Sequence, residues 1–208
     1  MTSTRGPRMT QAEHHLACAD DRLRAVIEST PRPKRSRNRD PYLALLQSVA
    51  SQQLSGKAAD TIFGRFCSLF PNDYPDPHQV VQLHPDRLRE AGFSRQKSGY
   101  IQNIASYALE QDLSYEALDV LPDDAIIQQL TTIKGVGRWT VEMLLMFPMT
   151  RPDILPIDDL GIQQAMVTLY RLRSKGSKLK RRMQHIAEPW RPYRTLASRY
   201  LWRWKSGG

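Results

Sequence analysis

Residues 131–143 read TTIKGVGRWTVEM, and this stretch decides the fold. Gly135 and Gly137 flank one valine, and Trp139 follows two places after the second glycine. An apolar helical pattern runs up to the glycines and resumes after them, so the connection between the two helices must be a sharp hairpin. Glycine has no β-carbon, so it adopts positive φ angles and lets another backbone approach closely. The sequence predicts two helices joined by a glycine hairpin over about residues 126–147.

Such a hairpin predicts an anion site. Backbone N–H groups of the turn and of the next helix's first residues point outward together, as they do where helix N-termini bind phosphate. Lys134 and Arg138 add positive charge at the same place. We expect a DNA phosphate to be bound by Gly135, Gly137, Lys134, Arg138 and Thr140. A plain turn between two paired helices is the alternative that the glycine pattern leaves open.

The composition is that of a globular protein. The chain has 208 residues, 40% hydrophobic and 25% charged, enough for one large domain or two small ones. No apolar stretch approaches the ~18 to 20 residues that a bilayer-spanning helix needs. Residues 1–10 are polar, lack the apolar segment of a secretion signal, and are expected to be a disordered tail before a helical domain at 11–205. Cys18 and Cys67 are too few and too far apart for a disulfide framework or a metal cluster.

The charge indicates a polyanionic partner. The net charge is +9. From Arg171 to the end there are twelve Lys or Arg and one acid, Glu188, and residues 31–40 hold five more basic residues. Two separate basic clusters favour nucleic acid over a merely solvated surface. An anionic membrane is disfavoured, because no basic amphipathic helix carries a face of aromatic residues.

The apolar spacing is helical throughout. No β-type alternation exceeds four residues, and the sequence predicts an all-α protein of about ten helices joined by short loops. One helix is expected over residues 12–30, ended by Pro31 and Pro33. Another is expected to begin at Pro41, because proline suits the first helical turn.

Four motifs resemble a known family. L-x-x-I-K-G-V-G-R-W-T-V at 130–141 and ILPIDDLG at 154–161 resemble the helix-hairpin-helix DNA glycosylase superfamily. SVASQQLSGKAA at 48–59 and GFSRQKSGYIQNIA at 92–105 are similar to its 3-methyladenine DNA glycosylase II branch, which removes alkylated purines. The resemblance covers roughly residues 40–205 and is to the compact form, without an extra N-terminal β-domain. It implies two helical subdomains flanking a cleft.

Two neighbouring aspartates precede an apolar helix. Read from their spacing alone, Asp158 and Asp159 are a helix cap and a first-turn acid. The resemblance implies that Asp159 is the catalytic carboxylate. Beside the sugar, its charge would stabilise the oxocarbenium-like transition state and help orient the attacking water. Asp158 is then expected to cap the helix or to fix the local geometry.

Aromatic residues are predicted to hold the damaged base. The resemblance implies a pocket formed by Trp139, Trp202 and Met143, the last standing where the best-known relative has tyrosine. Cationic alkylpurines stack well on indole faces, so Trp139 and Trp202 could sandwich the base. Superfamily members that also cleave the DNA backbone carry lysine at the position of Trp139, so this chain is expected to be monofunctional. A core role for Trp139 remains the alternative, and Trp190 and Trp204 are interpreted as packing residues.

Two further assignments follow from the resemblance. Gln53 is the expected wedge that fills the space left by the extruded base, although a turn residue bonding local backbone is the alternative. No cofactor is required, but the hairpin is expected to bind a structural monovalent cation through backbone oxygens of Thr131, Ile133 and Val136. The scattered histidines do not support zinc.

The predicted function is hydrolysis of the N-glycosidic bond of alkylated purines such as 3-methyladenine and 7-methylguanine, by base flipping in base excision repair. The expected partner is double-stranded DNA containing damaged bases, bound by a monomer. The expected location is the cytoplasm, at the nucleoid, in a bacterium, or the nucleus in a eukaryote. The alternatives are a non-catalytic DNA-binding module, or a glycosylase for ethenoadenine, hypoxanthine, oxidised or mismatched bases.

Overall fold

The computed structural model of the chain describes residues 9–34, 39–52, 54 and 56–207. Over these residues the regular structure is thirteen α-helices and two 3-10 turns, with no strand. The helices are α1 (Gln11–Ala19), α2 (Asp21–Ser29), α3 (Pro41–Ser51), α4 (Gly56–Cys67), α5 (Pro77–Gln82), α6 (Pro85–Ala91), α7 (Arg95–Glu110), α8 (Tyr115–Asp119), α9 (Asp123–Leu130), α10 (Arg138–Met146), α11 (Leu160–Tyr170), α12 (Gly176–Ala187) and α13 (Arg194–Lys205). The 3-10 turns are Pro71–Asp73 and Glu188–Trp190. The all-α prediction is confirmed.

The chain forms two compact units. The first combines both ends of the chain, up to Arg35 and from Arg151, and the second runs from Ser36 to Thr150. The first therefore contains α1, α2 and α11–α13, and the second contains α3–α10. The helical region expected at 11–205 thus contributes to both units. Residues 1–8, the main part of the expected tail, lie outside the described residues.

The predicted helix at 12–30 is two helices. Asp20 has extended backbone angles between α1 and α2, and its carboxylate accepts hydrogen bonds from the N–H groups of Arg22 and Leu23, both at 3.0 Å. The prediction of one helix was wrong because apolar spacing continues across this aspartate, whereas its side chain caps a new helix. Asp20 also accepts from Tyr170 at 2.7 Å and Trp190 at 3.1 Å, which attaches the break to the core of the first unit.

The first helix of the second unit, α3, begins at Pro41 as predicted. Asp40 caps α3 by accepting from the N–H of Leu43 at 3.0 Å, and Pro41 occupies the first helical position. The side chains of Leu45, Leu46 and Val49 are fully buried, as their spacing predicts. α3 packs against α4, α7 and α10, so it is the central helix of this unit.

The first unit packs around an apolar cluster that includes the fully buried Trp190. Trp204 packs against the same cluster, so both of these tryptophans have the predicted packing role. Across the part of the chain that the structure describes, every helix falls short of the length and apolarity that a bilayer crossing requires.

A buried carboxylate joins the N-terminal helix to the rest of the first unit. Glu13 is 2% exposed. It accepts two hydrogen bonds from Arg32, both at 2.7 Å, one from the Tyr200 hydroxyl at 2.5 Å and one from the Thr10 N–H at 2.7 Å. Burial raises the pKa of Glu13, but these donors outweigh burial and lower the pKa to about 2.

We expect Glu13 to make stability depend on acid pH. Its folded pKa lies below the ordinary value of 4.5, so its contribution is complete above that value. The contribution is lost as pH falls from about 4.5 towards 2. E13Q should lower the free energy of unfolding at neutral pH by about 1.5 to 3 kcal/mol, as expected for a hydrogen bond to a charged group. It should also flatten this acid window in urea unfolding.

The matched control is E28Q, because Glu28 is an exposed acid on the neighbouring helix α2. Its unfolding free energy should stay within about 0.5 kcal/mol of the wild type. An E13Q protein that loses stability with acid as steeply as the wild type would contradict the assignment to Glu13.

Candidate active site

The glycine hairpin is present in the second unit. α9 ends at Leu130, and Gly137, which has extended backbone angles, is the residue directly before α10. Gly135 has a φ of +104°, and a β-carbon placed on it would lie 2.1 Å from Cγ of Tyr100. Glycine is therefore required at position 135 for two reasons: its positive φ angle and the closeness of the Tyr100 ring.

The N-terminus of α10 is open to a ligand. Among the described residues no side chain caps it, and a β-carbon on Gly137 would meet no atom within 4 Å. The first N–H groups of a helix have no acceptor inside the helix. The backbone N–H groups at the start of α10 and the bare surface of Gly137 thus form the geometry expected of an anion site.

The side chains predicted to assist at this site differ in position. Lys134 is exposed. Arg138 is exposed but its Nε donates to Oε1 of the buried Glu142 at 2.9 Å, so part of its charge is already matched. Thr140 is 2% exposed, so its hydroxyl does not reach the surface, and what this residue offers a phosphate is its backbone N–H.

A cavity of about 300 Å³ lies beside Trp139 in the second unit. Met143, one turn further along α10, lines the same cavity, so two of the three predicted pocket residues are together. Both side chains are half-buried. Trp139 is thus both a packed residue and a cavity wall, as the two interpretations of the sequence allowed.

The cavity has a polar wall that the sequence analysis missed. Gln47, Ser48 and Ser51 line it from α3. Gln47 and Ser48 precede Ser51 by four and three positions, so all three share one face of a helix that is otherwise largely apolar. A polar stripe on a helix with a buried face is the signal that would have identified them.

Asp159 lies in the first unit and is itself the cap of α11. Its Oδ1 accepts from the N–H of Ile162 at 2.8 Å and from Nε1 of Trp202 at 2.7 Å. Two donors on one oxygen hold the carboxylate in one orientation at the start of α11. Two of the predicted site residues, 43 positions apart in the chain, are therefore in direct contact.

Gly161 leaves room for this contact. A β-carbon there would lie 3.0 Å from Cδ1 of Trp202 and 3.1 Å from Oδ1 of Asp159. These distances are shorter than ordinary van der Waals contact, so a larger residue would press on the indole and the carboxylate together. The glycine that ends the motif ILPIDDLG is thus explained by the pair beside it.

The predicted cap role of Asp158 was wrong. α11 begins at Leu160, which places Asp159 and not Asp158 at the capping position. Asp158 instead forms an ion pair with Lys180 of α12, and both side chains are about 40% exposed. The predicted alternative, a residue that fixes local geometry, agrees with this ion pair. Gln53, the predicted wedge, lies outside the described residues.

These site elements agree with comparisons with known proteins. Residues 46–192 match the model of the HhH-GPD superfamily base excision DNA repair protein family. The chain belongs to this family. The predicted superfamily is therefore confirmed, and the matched residues include the glycine hairpin, Trp139, Met143 and Asp159.

Individual HhH-GPD relatives are similar over nearly the whole chain. DNA-3-methyladenine glycosylase 1 of Schizosaccharomyces pombe is 38% identical over 200 residues, which cover 94% of this chain and 87% of the relative. A solved structure of the S. pombe enzyme, Mag1, in complex with abasic DNA matches with a TM-score of 0.85 and 37% identity, over 93% of this chain and 95% of that one. The crystal structure of a DNA-3-methyladenine glycosidase from Bacillus halodurans matches with a TM-score of 0.78 and 32% identity, over 94% and 89%.

Proposed function

We propose that the protein is a monofunctional DNA glycosylase that hydrolyses the N-glycosidic bond of alkylated purines in double-stranded DNA. The observation that carries the proposal is the carboxylate of Asp159, held at the start of α11 by the indole of Trp202. Family membership and relatives named as 3-methyladenine DNA glycosylases support the same reaction.

Asp159 supplies the charge that the reaction needs. As the purine leaves, positive charge develops on the deoxyribose, and a carboxylate whose position is already fixed stabilises it without reorganisation. The Ile162 N–H and Trp202 Nε1 both bind Oδ1. With its orientation fixed in this way, the carboxylate stabilises the developing cation and orients the water that attacks the sugar carbon.

The product is an abasic site in an intact strand. Strand cleavage by a glycosylase requires an amine that forms a Schiff base with the sugar, and the indole of Trp139 has no nucleophilic amine. Trp139 and Met143 form an apolar wall that suits an electron-poor alkylpurine. The polar groups of Gln47, Ser48 and Ser51 would hydrogen-bond the edge of the base.

The hairpin holds the DNA backbone through the N–H groups at the start of α10, with Lys134 nearby. No cofactor takes part in the chemistry. A monovalent cation would be bound by the backbone oxygens of Thr131, Ile133 and Val136, where it adds positive charge for the phosphate. The turn fits this role, because the Ile133 oxygen accepts one hydrogen bond, from the Val136 N–H at 2.9 Å, and keeps a second lone pair.

The direct test uses duplexes that each carry one lesion: 3-methyladenine, 7-methylguanine, ethenoadenine or hypoxanthine. We expect strands that break only after heat or alkali, because the enzyme leaves an abasic site without cutting. Breaks that appear before alkali treatment would contradict the monofunctional mechanism. Normal DNA binding with no labile site on any substrate would establish a non-catalytic DNA-binding module instead.

A basic stretch adjoins the carboxylates within the first unit. Lys180 of α12 pairs with Asp158, directly before Asp159. Six further basic side chains in this region are exposed, and no ion pair engages them among the described residues. They are Arg171, Arg173, Lys175, Lys178, Arg181 and Arg182.

We expect this stretch to contribute to the salt dependence of DNA binding. R181A/R182A should lower the slope of log affinity against log salt by about 0.9 for each DNA phosphate that the variant no longer neutralises. The control is R87A/R89A, which removes two arginines that already pair with Glu90 and Asp86 on the same helix. Titrations between low and physiological salt measure both slopes. Equal slopes in the two variants would show that α12 does not contact DNA.

A further inference from the structure

The ammonium group of Lys97 hydrogen-bonds to backbone oxygens at the C-terminal end of α3. Its Nζ donates to the backbone oxygens of Ala50 at 2.9 Å and Gln52 at 2.5 Å. Lys97 lies in the first turn of α7, and burial lowers its pKa from the ordinary lysine value. Burying an ammonium is costly unless it is hydrogen-bonded. The carbonyl oxygens at the negative end of a helix dipole provide that compensation here.

The same helix α7 also contacts the glycine hairpin. Asn103 Nδ2 donates to the backbone oxygen of Lys134 at 3.0 Å, and the ring of Tyr100 lies against Gly135. From the end of α3, Gln52 Nε2 donates to the backbone oxygen of Gly135 at 3.3 Å. Within the second unit, α7 and Gln52 thus connect the C-terminal end of α3 to the hairpin.

We infer that Lys97 is a positioning residue for base extrusion, which holds the C-terminal end of α3 and the backbone of Gln52 at a fixed place relative to the hairpin. The inference rests on the function proposed above, in which the hairpin holds the DNA backbone. The backbone oxygens that Lys97 binds belong to Ala50 and Gln52. The next residue in the sequence, Gln53, is the one predicted to fill the space of the extruded base. Fixing the backbone of Gln52 in the free protein reduces the conformational freedom that remains to be lost when this part of the chain engages the duplex.

K97M tests the inference, because methionine keeps the apolar stem of lysine and removes the donor. Excision of a lesion in a fully paired duplex should fall by about 10- to 100-fold, the factor that corresponds to one lost hydrogen bond to a charged group. The same lesion placed in a mismatch or opposite an abasic site is easier to extrude, and its excision should fall by only about threefold or less. K97R, which still presents N–H donors, should recover part of the rate on paired DNA.

The control variant is R95M. It removes a positive charge from the same turn of α7, but Arg95 is exposed and does not bind the α3 carbonyls. Its excision rates on both substrates should stay within about twofold of the wild type. Urea unfolding of K97M, K97R and R95M then separates a loss of stability from a loss of positioning.

Extrusion can also be measured without chemistry. When the D159N protein binds a duplex with 2-aminopurine next to the lesion, the fluorescence of 2-aminopurine should increase. Adding K97M to D159N should slow or reduce that increase. Three results would each overturn the inference. They are equal losses of K97M excision on paired and mismatched DNA, no loss of excision on either, or the same fluorescence change in D159N with and without K97M. If the wild type releases no base from any duplex, the proposed function fails, and the fluorescence comparison alone decides the role of Lys97.

Discussion

D159N should lower the rate of base release by about 100- to 1000-fold, the loss seen when one preorganised electrostatic group is removed from an active site. In this structure the substitution removes the negative charge and keeps the hydrogen bonds of the side chain. The Asn side chain keeps an oxygen to accept from Ile162 N–H and Trp202 Nε1, and Asn caps helices about as well as Asp. The fold and DNA binding should therefore persist, with a change in unfolding free energy of about 1 kcal/mol or less from the weaker dipole interaction.

D158N is the matched control, because it neutralises the adjacent carboxylate and loses only a partly exposed ion pair with Lys180. Such a pair contributes about 0 to 1 kcal/mol, so base release should change little. Single-turnover excision on one alkylated duplex measures both variants. Near-normal release by D159N, or equal losses in the two variants, would exclude Asp159 as the charge that acts on the sugar.

G135A should destabilise the second unit strongly. Alanine at a φ of +104° is strained, at about 1 to 2 kcal/mol for a left-handed backbone. Its β-carbon would also lie 2.1 Å from Cγ of Tyr100, and forcing extra atoms into a packed site costs about 1 to 3 kcal/mol more. The total is about 2 to 5 kcal/mol, with loss of DNA binding because the hairpin is displaced. Thermal or urea unfolding measures the first effect and DNA titration the second.

G137A is the informative partner of G135A. Its backbone angles suit alanine, and its β-carbon would meet no protein atom within 4 Å. The free energy of unfolding should change by about 1 kcal/mol or less. DNA affinity should fall, because the added methyl group would occupy the position proposed for a DNA phosphate. A stable G137A protein with unchanged affinity would place the phosphate elsewhere.

Much of the fold could be predicted from the sequence, because apolar spacing reports which face of each helix is buried. Leu45, Leu46 and Val49 follow that rule, and the family prediction from the hairpin and the ILPIDDLG motif is confirmed. The helix break at Asp20 was missed. In sequence, an aspartate within an apolar pattern is equally consistent with a surface residue of a continuous helix and with the cap of a new helix. Only its contact with backbone N–H groups in the structure distinguishes the two.

The candidate site was less predictable, because its contacts join residues distant in the chain. No local pattern tells that the Trp202 indole donates to Asp159, or that Lys97 binds the carbonyl oxygens of Ala50 and Gln52. Backbone acceptors leave no trace in the sequence. The cap role assigned to Asp158 failed for a related reason: two neighbouring aspartates are equivalent in sequence until one of them is found at the capping position.

The first unit is built from both ends of the chain, and this has a consequence for synthesis on the ribosome. The second unit, residues 36–150, is continuous and can fold while translation proceeds, since domains generally fold as units. α1 and α2 must wait for partners that emerge more than a hundred residues later. Trp202 emerges 43 residues after Asp159 and more than 60 residues after the hairpin, so a nascent chain acquires its hairpin before the contact between Trp202 and Asp159 can form.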